Sequence, residues 1–449
     1  MKKGTHRIGD NTSVRPNLPS PAIAMTDPIL SGGRKRLRAS VWIFLGAMFV
    51  LHVFFVWQVR NGLRKGYQDF TIFYCAGKIV NLGLAHQLYS DQVQWRIQQS
   101  FAAWVAIREG PLPYNHPPFE ALLFAPFAKL PFFAAFLGWD LLNLAMLVSL
   151  PFILRPYVAL LRRVPASRFV LASLAFFPVC VTLIQGQDAI VMLLLFSLAY
   201  VALKRNADFY AGCLLGVGLF RFHQVLPVVV ILLLCRRVKT TAGFALSSLV
   251  FGVISLALVG WHELLAYPTY LWHVENVLQR GPIVPLDMPT LRGFLYATLS
   301  SYVPLTLIHV FIAVLSVALI IFAAARWMSA VGRVNLDLSY SICLISSFLV
   351  SYHAYVYELT SLLLAVLLLL NHVFVTRETP GWKGVKWYAP LFLLFFTPLQ
   401  MVLCLRYVQF HLFALVLMLW IWGLSDELSR RPRAEMACSG ASLQSAGSG

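Results

Sequence analysis

The sequence is poor in charge and lacks the patterns of nucleotide-binding enzymes. Only 12% of its 449 residues are charged, whereas soluble domains have about 25%. Neither a G-x-x-x-x-G-K-[ST] phosphate loop nor a dinucleotide fingerprint occurs. With 59% hydrophobic residues and a mean hydropathy of +0.73, the composition predicts a polytopic membrane protein without a nucleotide cofactor.

Cysteines are few and scattered. There are seven, without a CxxC pair, and only Cys75 falls in the predicted first outer loop. Neither a disulfide framework nor a cysteine metal site is therefore expected.

No internal repeat period stands out. The first apolar run, residues 41–59, has no small-residue cleavage site and is interpreted as a retained signal anchor.

Long apolar runs dominate the rest of the chain. A spanning helix needs about 20 mostly apolar residues, and the runs predict an all-α integral membrane bundle with about 12 transmembrane helices. The predicted spans are residues 40–58, 132–154, 169–184, 189–203, 209–220, 225–235, 242–259, 299–325, 338–351, 359–370, 388–404 and 412–423. The least certain pair adjoins Arg221; a hairpin with its tip in outer water is preferred to one long tilted helix, since a lone mid-membrane Arg is costly.

The net charge of +18 reflects topology. Lys and Arg gather in alternate short loops, as cytoplasmic loops do, if both termini are cytoplasmic. Nucleic-acid binding is therefore not expected. The predicted parts are a disordered cytoplasmic arm (1–38), a transmembrane domain (39–425) and a disordered cytoplasmic tail (426–449).

The first extracytoplasmic loop, residues 59–131, is the longest segment outside the membrane between the two tails. Residues 69–84 and 91–107 show the apolar spacing of surface-lying amphipathic helices. Residues 117–130 are apolar but short, and they are placed at the outer interface. If they crossed, Arg155 and its basic neighbours would fall outside, against the charge rule.

Polar residues collect on the predicted outer face, where activated groups arrive on lipids. Moving a sugar from a polyprenyl phosphate to a hydroxyl needs a base near the acceptor and positive charge near the leaving phosphate. Asp69 suits the first role, and Arg221 or His223 the second. The other outer candidates are His116, Gln185, Gln187, Asp188, His273, Glu275, Arg292, His353 and Glu358. Composition and spacing alone indicate a polar outer cleft without fixing a reaction.

Each candidate also has a structural interpretation. Asp69 is placed to cap the helix that follows, and the segment 185–187 is equally consistent with a turn. Arg221 and His223 are alternatively structural partners of an outer acid such as Asp188 or Glu275. His353 and Glu358 border a predicted turn, where water would satisfy them. The outer aromatic residues Tyr67, Phe73, Tyr74, Tyr89 and Trp95 are either sugar platforms or ordinary interface anchors.

Several short motifs occur in a consistent order between residues 66 and 370. They are Gln68-Asp69-Phe70, Tyr74-Cys75-Ala76-Gly77, Leu88-Tyr89, Tyr114-Asn115-His116-Pro117-Pro118-Phe119, Ala125-Pro126-Phe127-Ala128-Lys129-Leu130-Pro131, Gln185-Gly186-Gln187, Ala211-Gly212 with Gly216, and Tyr352-His353 to Glu358-Leu359. This ordered set resembles glycosyltransferase family 87, which includes a polyprenol-phosphate-mannose-dependent mannosyltransferase.

The resemblance implies a GT-C membrane fold with inverting transfer from a polyprenyl phosphate hexose, mannose above all, to a glycolipid or glycan on the extracytoplasmic side of the plasma membrane. It implies that Asp69 is the general base, that Pro117-Pro118 begins an outer helix, and that His353 contacts the acceptor or relays a proton. His116, Gln187, Arg221, His223 and Glu358 are expected to bind substrate. Where the family usually has Lys-Pro this chain has Arg221-Phe222-His223-Gln224, and Glu358 replaces an Asp.

No metal site is predicted, although the possibility of a divalent ion bridging Asp69 and a donor phosphate stays open.

Two rival classes of protein are a transporter or flippase of a lipid-linked sugar and a structural membrane subunit. Transporters usually show repeats and polar, broken helices near the midplane. The polar candidates here cluster at one face, which favours an enzyme.

Overall fold

The computed structural model describes residues 28–102, 110–276, 284–329, 336–376 and 384–446, with the backbone alone for 28–38 and 430–446. The chain divides into two compact units, Met1–Phe44 and Leu45–Gly449. In the first unit only the start of helix α1 is described. The residues that form the site all belong to the second unit.

The described residues form helices and no strands. The α-helices are α1 Pro28–Arg64, α2 Phe70–Asn81, α3 Asp91–Gln99, α4 Ala121–Phe124, α5 Phe132–Leu154, α6 Ala159–Arg163, α7 Ala166–Leu174, α8 Phe177–Gln185, α9 Ala189–Lys204, α10 Asp208–Val217, α11 Phe222–Leu234, α12 Val238–Val259, α13 Trp261–Asn276, α14 Leu291–Leu299, α15 Leu305–Ser329, α16 Leu336–Val350, α17 Leu363–Thr376, α18 Val385–Phe395, α19 Thr397–Met401 and α20 Phe413–Ala446. Short 3-10 segments include Pro118–Glu120, Gly218–Arg221 and Val356–Leu362.

Among these residues, seven helical runs are long and apolar enough to cross a membrane, or up to nine if each of two bent pairs is one span. The bent pairs turn by 73° between α7 and α8 and by 63° between α18 and the run Thr397–Arg406. A helix satisfies its backbone hydrogen bonds internally, as lipid requires. The prediction of an all-helical polytopic membrane protein is confirmed.

The run Asp208–Leu234 is apolar enough to cross a membrane but folds back on itself. A straight helix of 27 residues would be about 40 Å long. Instead, Arg237, just beyond its end, places Nη1 3.0 Å from Oδ1 of Asp208 at its start. Arg221 leaves the helical region, with φ −112° and ψ 54°. The predicted hairpin is therefore present, but its tip is not in outer water, since Arg221 is only 2% exposed.

A polar cluster ties several helices together at the end where the hairpin begins. Oδ1 of Asp337 lies 2.7 Å from Nζ of Lys204 and accepts a hydrogen bond from Tyr200, while Oδ2 accepts one from Asn371. The side chain of Asn371 in turn accepts the backbone N–H of Leu160. Segments predicted as cytoplasmic boundaries thus meet at one end of the bundle.

The first outer loop has its own apolar core. Helix α2 buries nine of its twelve residues, including Phe70, Phe73 and Tyr74, against α3, α4 and the start of α5. The expectation that α2 lies amphipathically on the surface is therefore wrong, because neighbouring loop segments cover its outer side. Phe73, Tyr74 and Tyr89 are core residues, not sugar platforms. The predicted second helix ends at Gln99, and residues 103–107 lie outside the described part of the chain.

Two stretches predicted as disordered are helical in backbone. Helix α1 already begins at Pro28, and α20 continues to Ala446. Extending an existing helix avoids the unfavourable nucleation step, so polar flanks can prolong a span that apolar burial has started. The remaining parts of these predictions, residues 1–27 and 447–449, lie outside the description.

Candidate active site

Asp69 stands at the start of α2 and faces a cavity of about 270 Å³. It occupies the N-cap position, yet its side chain makes no capping hydrogen bond. Its Oδ2 accepts a hydrogen bond of 2.8 Å from Nε2 of Gln187, and its backbone N–H donates to Oε1 of Gln185 at 3.0 Å. The carboxylate is therefore positioned for something other than helix capping.

The turn between α8 and α9 supplies both glutamines. Gly186 ends α8 with φ +62°, a left-handed conformation that glycine adopts without strain. A Cβ at this position would lie 2.7 Å from Cβ of Phe70. The segment is thus a turn, as one interpretation proposed, and its close packing on α2 brings Gln185 and Gln187 to Asp69.

Arg221, at the hairpin tip, is the centre of a buried hydrogen-bonded network. Its Nε donates to Oδ1 of Asp188 at 2.7 Å, and its Nη1 to Oε1 of Glu358 at 2.8 Å. Its Nη2 donates to Oε1 of Gln187. Two carboxylates offset the charge of this buried guanidinium, which explains why Arg221 is stable there. Gln187 bridges Arg221 to Asp69.

Glu358 holds the other side of the network. Its Oε1 also lies 2.9 Å from Nε2 of His223, and its Oε2 accepts the backbone N–H of Tyr355 at 2.8 Å. The residue is 1% exposed and does not line the cavity beside Asp69. Glu358 is therefore placed to orient Arg221 and His223.

A second ion-pair group lies beside the first. Nδ1 of His353 is 2.7 Å from Oε1 of Glu275, whose Oε2 is 2.7 Å from Nη1 of Arg292. Burial raises the pKa of Glu275, but the charges of His353 and Arg292 outweigh it and lower this pKa to about 2. Burial lowers the pKa of His353, but Glu275 reverses this and raises the pKa above its usual value. His353 is thereby favoured as a cation.

His116 lies opposite these cations, with Nδ1 2.7 Å from Oε2 of Glu120. Burial, followed by the charges of Arg221, His353 and His223, holds the pKa of His116 well below its usual value. Burial and the neighbouring Asp188 raise the pKa of Glu120 well above its usual value. A neutral imidazole therefore faces the site at this point.

Two adjoining cavities, of about 270 and 240 Å³, share the side chains of His116, Arg221 and His353, along with Asn115. The first also has Asp69 and Gln187 in its wall and apolar residues of α1 and α8, such as Phe55 and Phe177. The second is lined by His223, Glu275 and aromatic residues, including Trp272. One group of polar side chains thus faces two cavities.

The structure brings together all seven residues predicted for the site, which are Asp69, His116, Gln187, Arg221, His223, His353 and Glu358. His273, an outer-face candidate, is exposed and lines neither cavity. Glu120 was missed because it lies in an apolar stretch predicted to rest at the membrane interface. The local pattern did not single it out, because Pro117 is extended and His116 therefore does not share a helix with Glu120.

A helical membrane protein whose buried ion pairs orient a carboxylate beside two adjoining cavities has the arrangement expected of a membrane-embedded enzyme. Comparison with known proteins gives the family. The family model of glycosyltransferase family 87 matches residues 114–352, more than half of the chain, and the chain belongs to that family. The match includes His116, Gln187, Arg221 and His223, while Asp69 precedes it. Neither a curated protein nor a solved structure matches.

Proposed function

We propose that this glycosyltransferase moves a hexose, with mannose as the expected sugar, from a polyprenyl phosphate to a hydroxyl of a glycolipid or glycan, with inversion at the anomeric carbon. The carrying observation is the chain of contacts from Arg221 through Gln187 to Asp69 at the cavity wall. These contacts hold the carboxylate of Asp69 beside the positively charged side of the site. Base and cation are the two elements that such a transfer needs.

In the proposed reaction, Asp69 accepts the proton of the acceptor hydroxyl while the oxygen of that hydroxyl forms a bond to the anomeric carbon. The bond from that carbon to the phosphate oxygen breaks, and the lipid phosphate leaves with the electron pair. His353 supplies positive charge near the phosphate, supported by its pairing with Glu275 and its place in both cavities. Arg221 adds to this positive side, and Glu358 orients both Arg221 and His223.

We further propose twelve crossings in a GT-C arrangement, with both termini cytoplasmic and the site extracytoplasmic in the plasma membrane. The nine candidate spans become twelve when the run Asp208–Leu234 counts as two and the shorter apolar helices α9 and α16 are included. The charge rule supports this orientation, because Lys204 and Arg237 mark the end of the bundle opposite the site. The donor reaches the site through the bilayer, and no nucleotide cofactor takes part.

The test compares envelope lipids and glycans by mass spectrometry in a deletion strain. The strain is complemented with wild type, Asp69→Asn or the exposed outer-loop variant Asp91→Asn, at equal membrane abundance. We expect a product one hexose smaller to accumulate in the deletion and with Asp69→Asn, but not with Asp91→Asn. Asn keeps an oxygen for Gln187, so the fold is preserved while the base is lost. A normal profile with Asp69→Asn would remove Asp69 as the base and favour a transporter.

A further inference from the structure

His116, Glu120 and Asp188 form a buried group beside the ion pairs of Arg221. One donor atom from each lies within 4.8 Å of the others, and the three residues are 5%, 2% and 0% exposed. Two ligands of one first-row metal ion, each at about 2.1 Å, are up to about 4.2 Å apart. Small side-chain shifts would therefore bring all three donors to one ion.

The acidic side chains of this group contact each other inside the protein. Oδ1 of Asp188 accepts from Arg221, its Oδ2 is buried, and its side chain contacts that of Glu120. Nδ1 of His116 lies 2.7 Å from Oε2 of Glu120, whose two oxygens are both buried. Two buried carboxyl groups in contact cannot both be charged unless a proton or a cation lies between them.

The charge balance points the same way. Arg221 pairs with Asp188 and Glu358, so its single charge is already shared by two carboxylates. Glu120 adds a third buried acid with no Lys or Arg contact among the described side chains. An uncompensated buried carboxylate is strongly unfavourable. A divalent cation between Glu120 and Asp188 would compensate it.

We propose that His116, Glu120 and Asp188 bind a first-row divalent cation, such as Mn²⁺ or Zn²⁺. An imidazole nitrogen with two carboxylate oxygens suits these ions, whereas Mg²⁺ and Ca²⁺ prefer oxygen ligands alone. The ion orients Asp188 and, through it, Arg221. Sequence spacing does not reveal the site, because Asp188 comes from a different turn than His116 and Glu120.

The experiment uses the full chain in lipid nanodiscs, stripped with EDTA and titrated with Mn²⁺ in the absence of any sugar donor. Free Mn²⁺ is followed by its electron paramagnetic resonance signal. We expect one Mn²⁺ per chain, displaced by Zn²⁺, and at least about tenfold weaker binding in Glu120→Gln. The matched variant Glu263→Gln, a half-exposed acid of α13, should bind as wild type does.

Absence of saturable Mn²⁺ binding in wild type, or unchanged binding in Glu120→Gln, overturns the proposal and makes a proton on Glu120 the compensating charge. If Glu120→Gln does not fold, the Mn²⁺ titration is repeated with Glu120→Asp, which keeps a carboxylate. That titration and the number of Mn²⁺ ions bound per wild-type chain then decide the question. Because the readout is binding, a negative result leaves the proposed transferase reaction untouched, and failure of the transferase test leaves the cation site standing.

Discussion

Replacing Glu275 with Gln should remove a pH-dependent contribution to stability. The substitution keeps the shape of the side chain but leaves His353 and Arg292 without the carboxylate that lies 2.7 Å from each. A pKa lowered from 4.5 to about 2 corresponds to about 3 kcal/mol, at 1.36 kcal/mol per pKa unit. Loss of one partner from such a buried pair typically costs about 3–5 kcal/mol, so the two magnitudes agree.

The direction of the pH dependence follows from the pKa shifts of both Glu275 and His353. The lowered pKa of Glu275 contributes stability that is present above 4.5 and is lost as pH falls toward 2. The raised pKa of His353 contributes stability that is present below 6.5 and is lost as pH rises through its folded-state pKa. The ion pair therefore stabilises the wild type most between about pH 4.5 and 6.5.

The assay measures unfolding midpoints of wild type, Glu275→Gln, His353→Gln and the double variant in nanodiscs from pH 4 to pH 8. We expect the difference between wild type and Glu275→Gln to be largest near pH 5.5 and to shrink toward pH 8. The double variant should lose less than the sum of the single losses, because both changes remove the same pair. A difference independent of pH, with additive losses, would refute this explanation.

Three further changes test the site. Gln187→Leu should lower transfer by about 100-fold in membranes, because it disconnects Asp69 from Arg221, while the exposed-site variant Gln92→Leu should not. Gly186→Ala should lower the unfolding free energy by more than the usual loss of about 1 kcal/mol for a positive φ, because its Cβ would contact Phe70; Gly83→Ala, with φ +71° and open space, should show only that loss in the same measurement. Arg221→Lys should lower thermal stability by several kcal/mol, because one ammonium cannot serve Asp188, Glu358 and Gln187 together; an unchanged midpoint would contradict this.

Local rules predicted much of the fold. Apolar runs located the helices, and the cost of an isolated Arg in lipid placed the hairpin at Arg221, which the Asp208–Arg237 contact bears out. The same rule misjudged the surroundings of Arg221. It anticipated water at the tip, whereas two acids from distant segments compensate the charge inside the protein.

The sequence could not predict which residues pair across long sequence separations. Asp188 was weighed as one of several partners for Arg221, and only the fold selects it. Helix α2 has polar residues among apolar ones, but its burial depends on which loop segments cover it. Glu120 lies next to Ala121 and Leu122 in an apolar stretch, so composition concealed a buried acid. Local patterns identified the elements and most of the site, while tertiary contacts determined the partners.

Because the hairpin α10–α11 is short, we expect access of the lipid donor to the site to depend on bilayer thickness. Ten α-helical residues and the four of Gly218–Arg221 reach at most about 23 Å from the cytoplasmic end, whereas the hydrocarbon layer is about 30 Å thick. In the proposed topology, Arg221 therefore lies roughly 7 Å below the outer headgroups. A lipid phosphate must sink that far or the membrane must thin around the protein, so shorter acyl chains should present the donor more readily.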